Sequence, residues 1–126
     1  MANVINWFEI PATDFDRAKK FYADLFAVED LFTAENDGIQ MGFFPMDDQS
    51  GGSVGGAVCQ GQWYQPSAEA GALLYLNANP NLDTMLGRVE TAGGSVMMGK
   101  TSIGEHGFMA LFVDSEGNRV GLHSKE

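Results

Sequence analysis

The stretch INWFEIPATDFDRAKKFY, residues 5–22, reads as a β-strand followed directly by an amphipathic helix. In its first half, Phe8 and Ile10 alternate with Trp7 and Glu9, which is the two-residue period of a strand whose faces have different surroundings. Neighbouring strand residues point to opposite faces. Packing of Phe8 and Ile10 in the core therefore turns Trp7 and Glu9 to the other side of the sheet.

The second half of the stretch predicts a helix over residues 14–26, because Thr13 or Asp14 can act as its N-cap. Apolar residues recur through it at helical spacing. They are Phe15, Ala18, Phe21, Tyr22, Leu25 and Phe26. Further strands are predicted over residues 30–34, 38–46 and 54–60, with a turn at residues 36–38.

The same order of elements returns in the second half of the chain, which indicates an internal repeat. The predicted elements are a strand over 72–78, a helix over 81–92 ending at Gly93-Gly94, and strands over 95–100, 107–113 and 119–124. Residues 61–71, which include Trp63 and Tyr64, read as a linker. We therefore predict an α+β fold, a single domain over residues 1–126 made of two βαβββ modules, about 1–60 and 72–126.

Composition limits the partners. The 126 residues and 13.6 kDa suit one compact domain, and 7 Lys and Arg against 17 Asp and Glu give a net charge of -10, which repels nucleic acid and anionic membranes. The lone Cys59 excludes an intrachain disulfide, and no apolar run reaches the roughly 20 residues of a membrane helix. With no signal sequence at the start, we expect a soluble cytoplasmic protein with neither nucleic acid nor membrane as partner.

Residues 5–22, together with FMALFVDSEGNRVGLHS at residues 108–124, resemble the glyoxalase/bleomycin-resistance/extradiol-dioxygenase group, the vicinal oxygen chelate superfamily. The resemblance implies two modules whose mixed sheets curl round a common cavity, which often holds a divalent metal that chelates two substrate oxygens. It also implies a homodimer.

The positions that align with the superfamily's metal ligands carry the wrong side chains. Trp7 stands where a histidine is usual in the first strand, and Gly121 stands where a glutamate is usual in the last. The comparable place in the second module, near Leu73 or Leu74, is apolar. Zinc, iron and manganese need nitrogen, oxygen or sulfur donors, so we predict that the usual metal is absent and expect no cofactor.

Strand alternation predicts the residues that face the cavity. In the last strand Val120 and Leu122 turn to the core, and the cavity-facing set from both modules is Trp7, Glu9, Leu73, Tyr75, Asn77, Arg119, Gly121 and His123. Glu9 and His123 are the candidate catalytic residues, as an acid–base pair. The alternatives are an unorthodox two-ligand metal site and a structural ion pair.

The candidate ligand-binding residues are Trp7, Tyr75, Asn77, Arg119, Trp63 and Tyr64. Trp7 stacks on a flat ligand or fills the cavity itself, and Trp63 with Tyr64 forms a pocket lid or anchors the linker onto the other module. Met97 and Met98 are expected to fill the core. Cys59 is expected to be a buried thiol and not a nucleophile.

These observations favour a glyoxalase-like protein that binds a small hydrophobic or planar molecule without metal, either as a binder or as an enzyme of unknown substrate. One alternative is a metal-dependent lyase or dioxygenase whose ligands have shifted to Glu9 and His123. Another is a non-catalytic interaction module whose cavity is filled by its own aromatic residues.

Overall fold

The chain is described by a computed structural model that covers residues 4–46 and 54–126. It divides into two compact units, Met1–Pro66 (unit 1) and Ser67–Glu126 (unit 2). The boundary falls inside the predicted linker, where residues 61–71 form neither helix nor strand. That the two units make one domain stays a prediction.

Unit 1 has the predicted order of one strand, one helix and three strands. Its elements are β1 (Trp7–Pro11), α1 (Phe15–Phe26), β2 (Phe32–Asn36), β3 (Ile39–Phe43) and β4 (Gly55–Gln60). The sheet order is β1-β4-β3-β2, in which β1 and β4 run parallel and the other pairs antiparallel. The predicted turn between β2 and β3 is confirmed, because Asp37 (φ 55°) and Gly38 (φ 83°) both have the positive φ that a two-residue hairpin loop requires.

The helix of unit 1 begins where the sequence placed it. The Asp14 carboxylate caps α1 by accepting a hydrogen bond of 3.1 Å from the Arg17 backbone N–H. The helix buries one face, and Phe8 of β1 joins that core by stacking on Phe44 with ring centroids 5.6 Å apart. The largest fully buried side chains on the helix side of unit 1 are Tyr22, Phe21, Leu25 and Val58. Phe8 and Ile10 therefore lie on the core side, as predicted.

Unit 2 repeats this order of elements, but two short helices replace the single long one. Its elements are β5 (Tyr75–Asn77), α2 (Asp83–Leu86), α3 (Val89–Ala92), β6 (Ser95–Ser102), β7 (Phe108–Val113) and β8 (Arg119–Ser124), and the sheet order is β5-β8-β7-β6. Strands β5 and β8 run parallel, as β1 and β4 do in unit 1. The βαβββ order predicted from the sequence is thus confirmed in both units.

Two boundaries in unit 2 were predicted wrongly. The single helix over 81–92 is broken at Gly87-Arg88, where the Arg88 N–H bonds the Met85 carbonyl three residues back instead of four. The strand over 72–78 is only the three residues of β5. No helix in the described parts of the chain is long and apolar enough to cross a membrane.

The prediction that Met97 and Met98 fill the core is also wrong. Both are exposed, because β6 is an edge strand that pairs only with β7 among the described strands. The register shifts along this pairing, between Val96 and Met98 and again before Thr101. Such irregularities are typical of protected sheet edges. The core of unit 2 is formed instead by other residues, chiefly Leu82, Val89, Phe112, Val120 and Leu122.

Candidate functional site

In unit 1 the sheet face opposite α1 carries the predicted site residues, and we call it the open face of unit 1. Trp7 and Glu9 lie on it, next to Gly55 and Ala57 of the neighbouring strand β4, with which they are in register. Paired residues of parallel strands point to the same side of the sheet. The open face of unit 1 also includes Cys59, Met41 and Phe43.

Glu9 is the polar centre of this face. Its Oε2 accepts a hydrogen bond of 3.1 Å from the Trp7 indole N–H, and its Oε1 accepts one of 2.5 Å from the Tyr64 hydroxyl. Both donors are neutral, and no cation pairs with the Glu9 carboxylate among the described residues. The sequence-predicted residues Trp7, Glu9 and Tyr64 are therefore brought together. This contact lies within unit 1, and whether Tyr64 forms a lid or anchors the linker onto the other module stays a prediction.

Cys59 lies beneath this cluster and is fully buried, as predicted. Burial raises the pKa of its thiol to about 12, and the negative charge of Glu9 acts in the same direction, while the hydrogen bond with Tyr64 opposes both. The bond that Tyr64 donates to Glu9 raises the pKa of the phenol above its usual value, with burial as the second cause. Near neutral pH the face therefore holds a protonated thiol and a protonated phenol, and neither is an activated nucleophile.

The indole of Trp7 lies over a glycine. A Cβ placed on Gly55 would come within 2.9 Å of Trp7 Cζ3, so only glycine lets the ring lie down on β4. The ring also meets Phe43 edge-on, with centroids 6.1 Å apart. Trp7 is still 43% exposed, and we call this half-open ring on its glycine the Trp7 platform.

Unit 2 repeats the arrangement at the equivalent place. Tyr75 of β5 pairs in register with Gly121 of β8, and a Cβ on Gly121 would come within 2.5 Å of the Tyr75 ring. Tyr75 is 49% exposed, and we call this pair the Tyr75 platform. The sequence alignment placed the counterpart of Trp7 near Leu73 or Leu74. The counterpart is Tyr75, because β5 begins there and not at residue 72.

His123 and Asn77 are neighbours across the β5–β8 pair, but each is used locally. His123 Nε2 lies 2.8 Å from the His106 backbone oxygen. A carbonyl oxygen only accepts, so Nε2 carries a proton, and a neutral ring would leave Nδ1 as its acceptor. Asn77 Oδ1 accepts from the Asn79 backbone N–H at 3.0 Å, a turn contact. Asn77 therefore has a structural role that the sequence did not suggest.

Arg119 lies on the same face of unit 2, two residues from Gly121 along β8. Its backbone N–H donates to the Ser67 carbonyl at 3.2 Å. Its side-chain Nε is buried and has no hydrogen-bond partner in the described structure. Buried donors are nearly always paired, so this atom calls for an explanation.

Two predictions remain, the role of Trp63 and the pairing of Glu9 with His123. Trp63 is 73% exposed, and the structure gives it none of the contacts of its neighbour Tyr64. Glu9 belongs to unit 1 and His123 to unit 2, and their action on one ligand stays a prediction.

The residues present do not fit the metal that the resemblance implies. An indole and a glycine stand at the two aligned ligand positions, and the Tyr75 ring fills the space where a side chain at residue 121 would begin. For ligands shifted to Glu9 and His123, the two residues belong to different units, and the described residues contain no group of three or more His, Cys, Asp or Glu side chains that could hold a metal. The two aligned ligand positions therefore supply no donor side chain for a metal.

We compared the sequence and the fold of this chain with those of known proteins. No family model matches the chain. A protein of Mycobacterium bovis named "Putative glyoxylase CFP32" is 31% identical over 127 residues, which cover 93% of this chain and 44% of that protein. The chain thus spans less than half the length of this relative.

Solved structures share the fold at low sequence identity. TnmS3, an antibiotic binding protein from Streptomyces sp. CB03234, matches with a TM-score of 0.66 at 20% identity over 98% of this chain and 97% of that one. FosX, a fosfomycin resistance protein from Listeria monocytogenes, matches with 0.65 at 13% identity over 100% and 94%. A glyoxalase I variant from Zea mays matches with 0.71 at 14% identity over 94% and 44%. The fold of two four-stranded mixed sheets that the resemblance implied is confirmed, and a common cavity between them stays a prediction.

Proposed function

We propose that this chain, which shares the fold of glyoxalase I and fosfomycin resistance proteins, is a glyoxalase-like protein that binds a small planar organic molecule without the usual metal of the vicinal oxygen chelate superfamily. One observation carries the proposal. At the same place in both units, a half-exposed aromatic ring lies on a glycine, giving the Trp7 and Tyr75 platforms.

These platforms suit flat ligands for a physical reason. An aromatic ring held down on the backbone keeps one face packed and offers the other for stacking, at little cost in side-chain entropy. The hydrogen bond from Trp7 to Glu9 fixes the indole further. Binding through stacking needs no Lewis acid, which agrees with the donor set described above.

The names of the fold neighbours support the same class of function. TnmS3 is called an antibiotic binding protein, and FosX a fosfomycin resistance protein. Fold alone does not set the ligand, so the proposal rests on the platforms. A homodimer and a cytoplasmic location remain predictions alongside it.

The test is binding of a neutral planar probe, 2-naphthylmethanol, before and after dialysis against EDTA. We expect the same dissociation constant in both states, and a loss of at least about tenfold when Trp7→Ala and Tyr75→Ala are combined, since stacking contributes about 1–3 kcal/mol per ring. The single variants then show which platform binds the probe.

Trp63→Ala tests the remaining candidate aromatic residue of the linker. Because Trp63 is 73% exposed, we expect this variant to change affinity by less than about twofold. Native mass spectrometry of the purified protein should show no stoichiometric metal. A stoichiometric Zn, Ni, Mn or Fe ion whose removal abolishes binding would contradict the proposal.

A further inference from the structure

The positive side chains of this acidic chain are almost all paired with partners. Lys19, Lys20 and Lys100 each contact an aspartate carboxylate, at 3.5, 2.9 and 3.8 Å. Arg17 and Arg88 also have interaction partners. With 17 acids for 7 bases, a cation in this protein has many carboxylates available.

Arg119 is the exception among half-buried cations. No acidic side chain contacts its guanidinium in the described structure, and its buried Nε makes no hydrogen bond. Within the described ranges Lys125 also lacks an acidic partner, but it is exposed and water can solvate it. Withdrawing an arginine donor from water without replacing its hydrogen bond is unfavourable. A fold does not gain stability from such a group, so a bound ligand is the natural partner to test.

The surroundings of Arg119 indicate the kind of partner. Arg119, Gly121 and His123 alternate along β8 and share one face, and the Tyr75 ring covers Gly121. Two residues along a strand span about 6.6 Å, so Arg119 is a close neighbour of the Tyr75 platform on this face. Arginine pairs best with planar oxyanions, through two parallel N–H···O bonds.

We propose that Arg119 recognises the carboxylate of a planar aromatic acid whose ring stacks on the Tyr75 platform. This inference rests on the proposed function and adds the chemical class of the ligand. The carboxylate accepts from Nε and one Nη, and this satisfies the donor that the unliganded protein leaves unpaired. Because Nε has no solvent contact, the ligand must shift the arginine or what covers it on entry. The net charge of -10 opposes an anion only weakly at this contact, since exposed charges beyond about 8 Å are screened at physiological salt.

The experiment compares 2-naphthoate with 2-naphthylmethanol, which shares its ring system but carries no charge at neutral pH. We expect the wild-type protein to bind 2-naphthoate at least about tenfold more tightly, as a charge-assisted pair contributes well above a neutral one. Arg119→Gln should reduce that preference to about twofold or less, with affinity for the alcohol unchanged. Arg119→Lys should restore it in part, because lysine keeps the charge but loses the fork.

Lys125→Gln is the matched control. It makes the same change in net charge within unit 2 at an exposed site, and it should keep the preference for 2-naphthoate. A second readout separates recognition from a structural role. 2-Naphthoate should raise the melting temperature of the wild-type protein but not of Arg119→Gln, whose own melting temperature should not fall.

The outcomes are distinguishable. If 2-naphthylmethanol binds as tightly as 2-naphthoate to the wild-type protein, the role of Arg119 is refuted and the proposed function stands. The inference is equally refuted if Arg119→Gln and Lys125→Gln lose the preference by the same factor, because the effect is then one of overall charge. If neither compound binds at all, the proposed function itself has failed. The comparison on wild-type protein remains decisive should Arg119→Gln not fold.

Discussion

At pH 7.5 we expect Cys59 to react with iodoacetamide at least about 1,000-fold more slowly in the folded protein than in the urea-unfolded chain. The thiolate is the reactive form, and burial raises the pKa of Cys59 from 9.0 to about 12, with the Glu9 charge adding to the shift. Each pKa unit lowers the thiolate fraction tenfold. Cys59 is the only cysteine, so the increase in protein mass reports on this residue alone.

One variant can test whether burial raises the pKa of Cys59 more than the Glu9 charge does. Glu9→Gln removes the negative charge but leaves the thiol buried, so alkylation should become faster only modestly and stay far slower than in urea. Glu35→Gln, which removes a carboxylate from exposed β2, should leave the rate unchanged. Folded and unfolded rates within about tenfold of each other would show that the thiol is neither buried nor protonated as described.

The same shifts predict loss of stability in alkali. Below pH 9.0 the thiol is protonated in both states, and the folded state keeps its full advantage. Between pH 9 and about 12 the unfolded chain ionises first, so the free energy of unfolding falls as the pH rises. Tyr64 acts in the same direction. Urea unfolding at a series of pH values should show the decline for the wild-type protein and a smaller one for Cys59→Ala.

The fold was predictable because its signals are local. The alternation of Phe8 with Trp7 and the cap at Asp14 are written into adjacent residues, and the structure confirms both. The prediction of one continuous helix over residues 81–92 was wrong because the apolar period continues through Gly87. The pattern does not show which hydrogen bonds the chain makes there. The exposure of Met97 depends on β6 being an edge strand, which is a property of sheet order and not of the sequence around it.

The site was predictable in part for the same reason. Strand alternation placed Trp7 with Glu9 and Arg119 with His123, since parity follows from the strand alone. It could not reveal that Tyr64 reaches Glu9 across 55 residues, because a linker side chain has no period. Nor could it reveal the Tyr75 platform, which requires the register of two distant strands. A glycine opposite an aromatic residue in both repeats was the available signal.

The largest loss of stability is expected at a glycine that joins the fold to the site. Gly107 ends the turn before β7 at φ 104° and ψ -131°, a conformation open to glycine alone, and a Cβ there would overlap the Ser124 carbonyl oxygen. The overlap is with backbone of β8, so no side chain can rotate away. We expect Gly107→Ala to lower the free energy of unfolding by at least about 3 kcal/mol, measured by urea denaturation.

Two neighbouring glycines separate the causes of that loss. Gly104→Ala carries only the conformational cost, because Gly104 has φ 75° but open space around it, and about 1–2 kcal/mol is expected. Gly99→Ala in β6 has neither problem and should be neutral within about 0.5 kcal/mol. Since Gly107 also fixes the His106 carbonyl that holds His123, Gly107→Ala should alter the histidine NMR signals as well. Equal losses at Gly104 and Gly107 would show that φ alone matters and that the close approach to Ser124 does not.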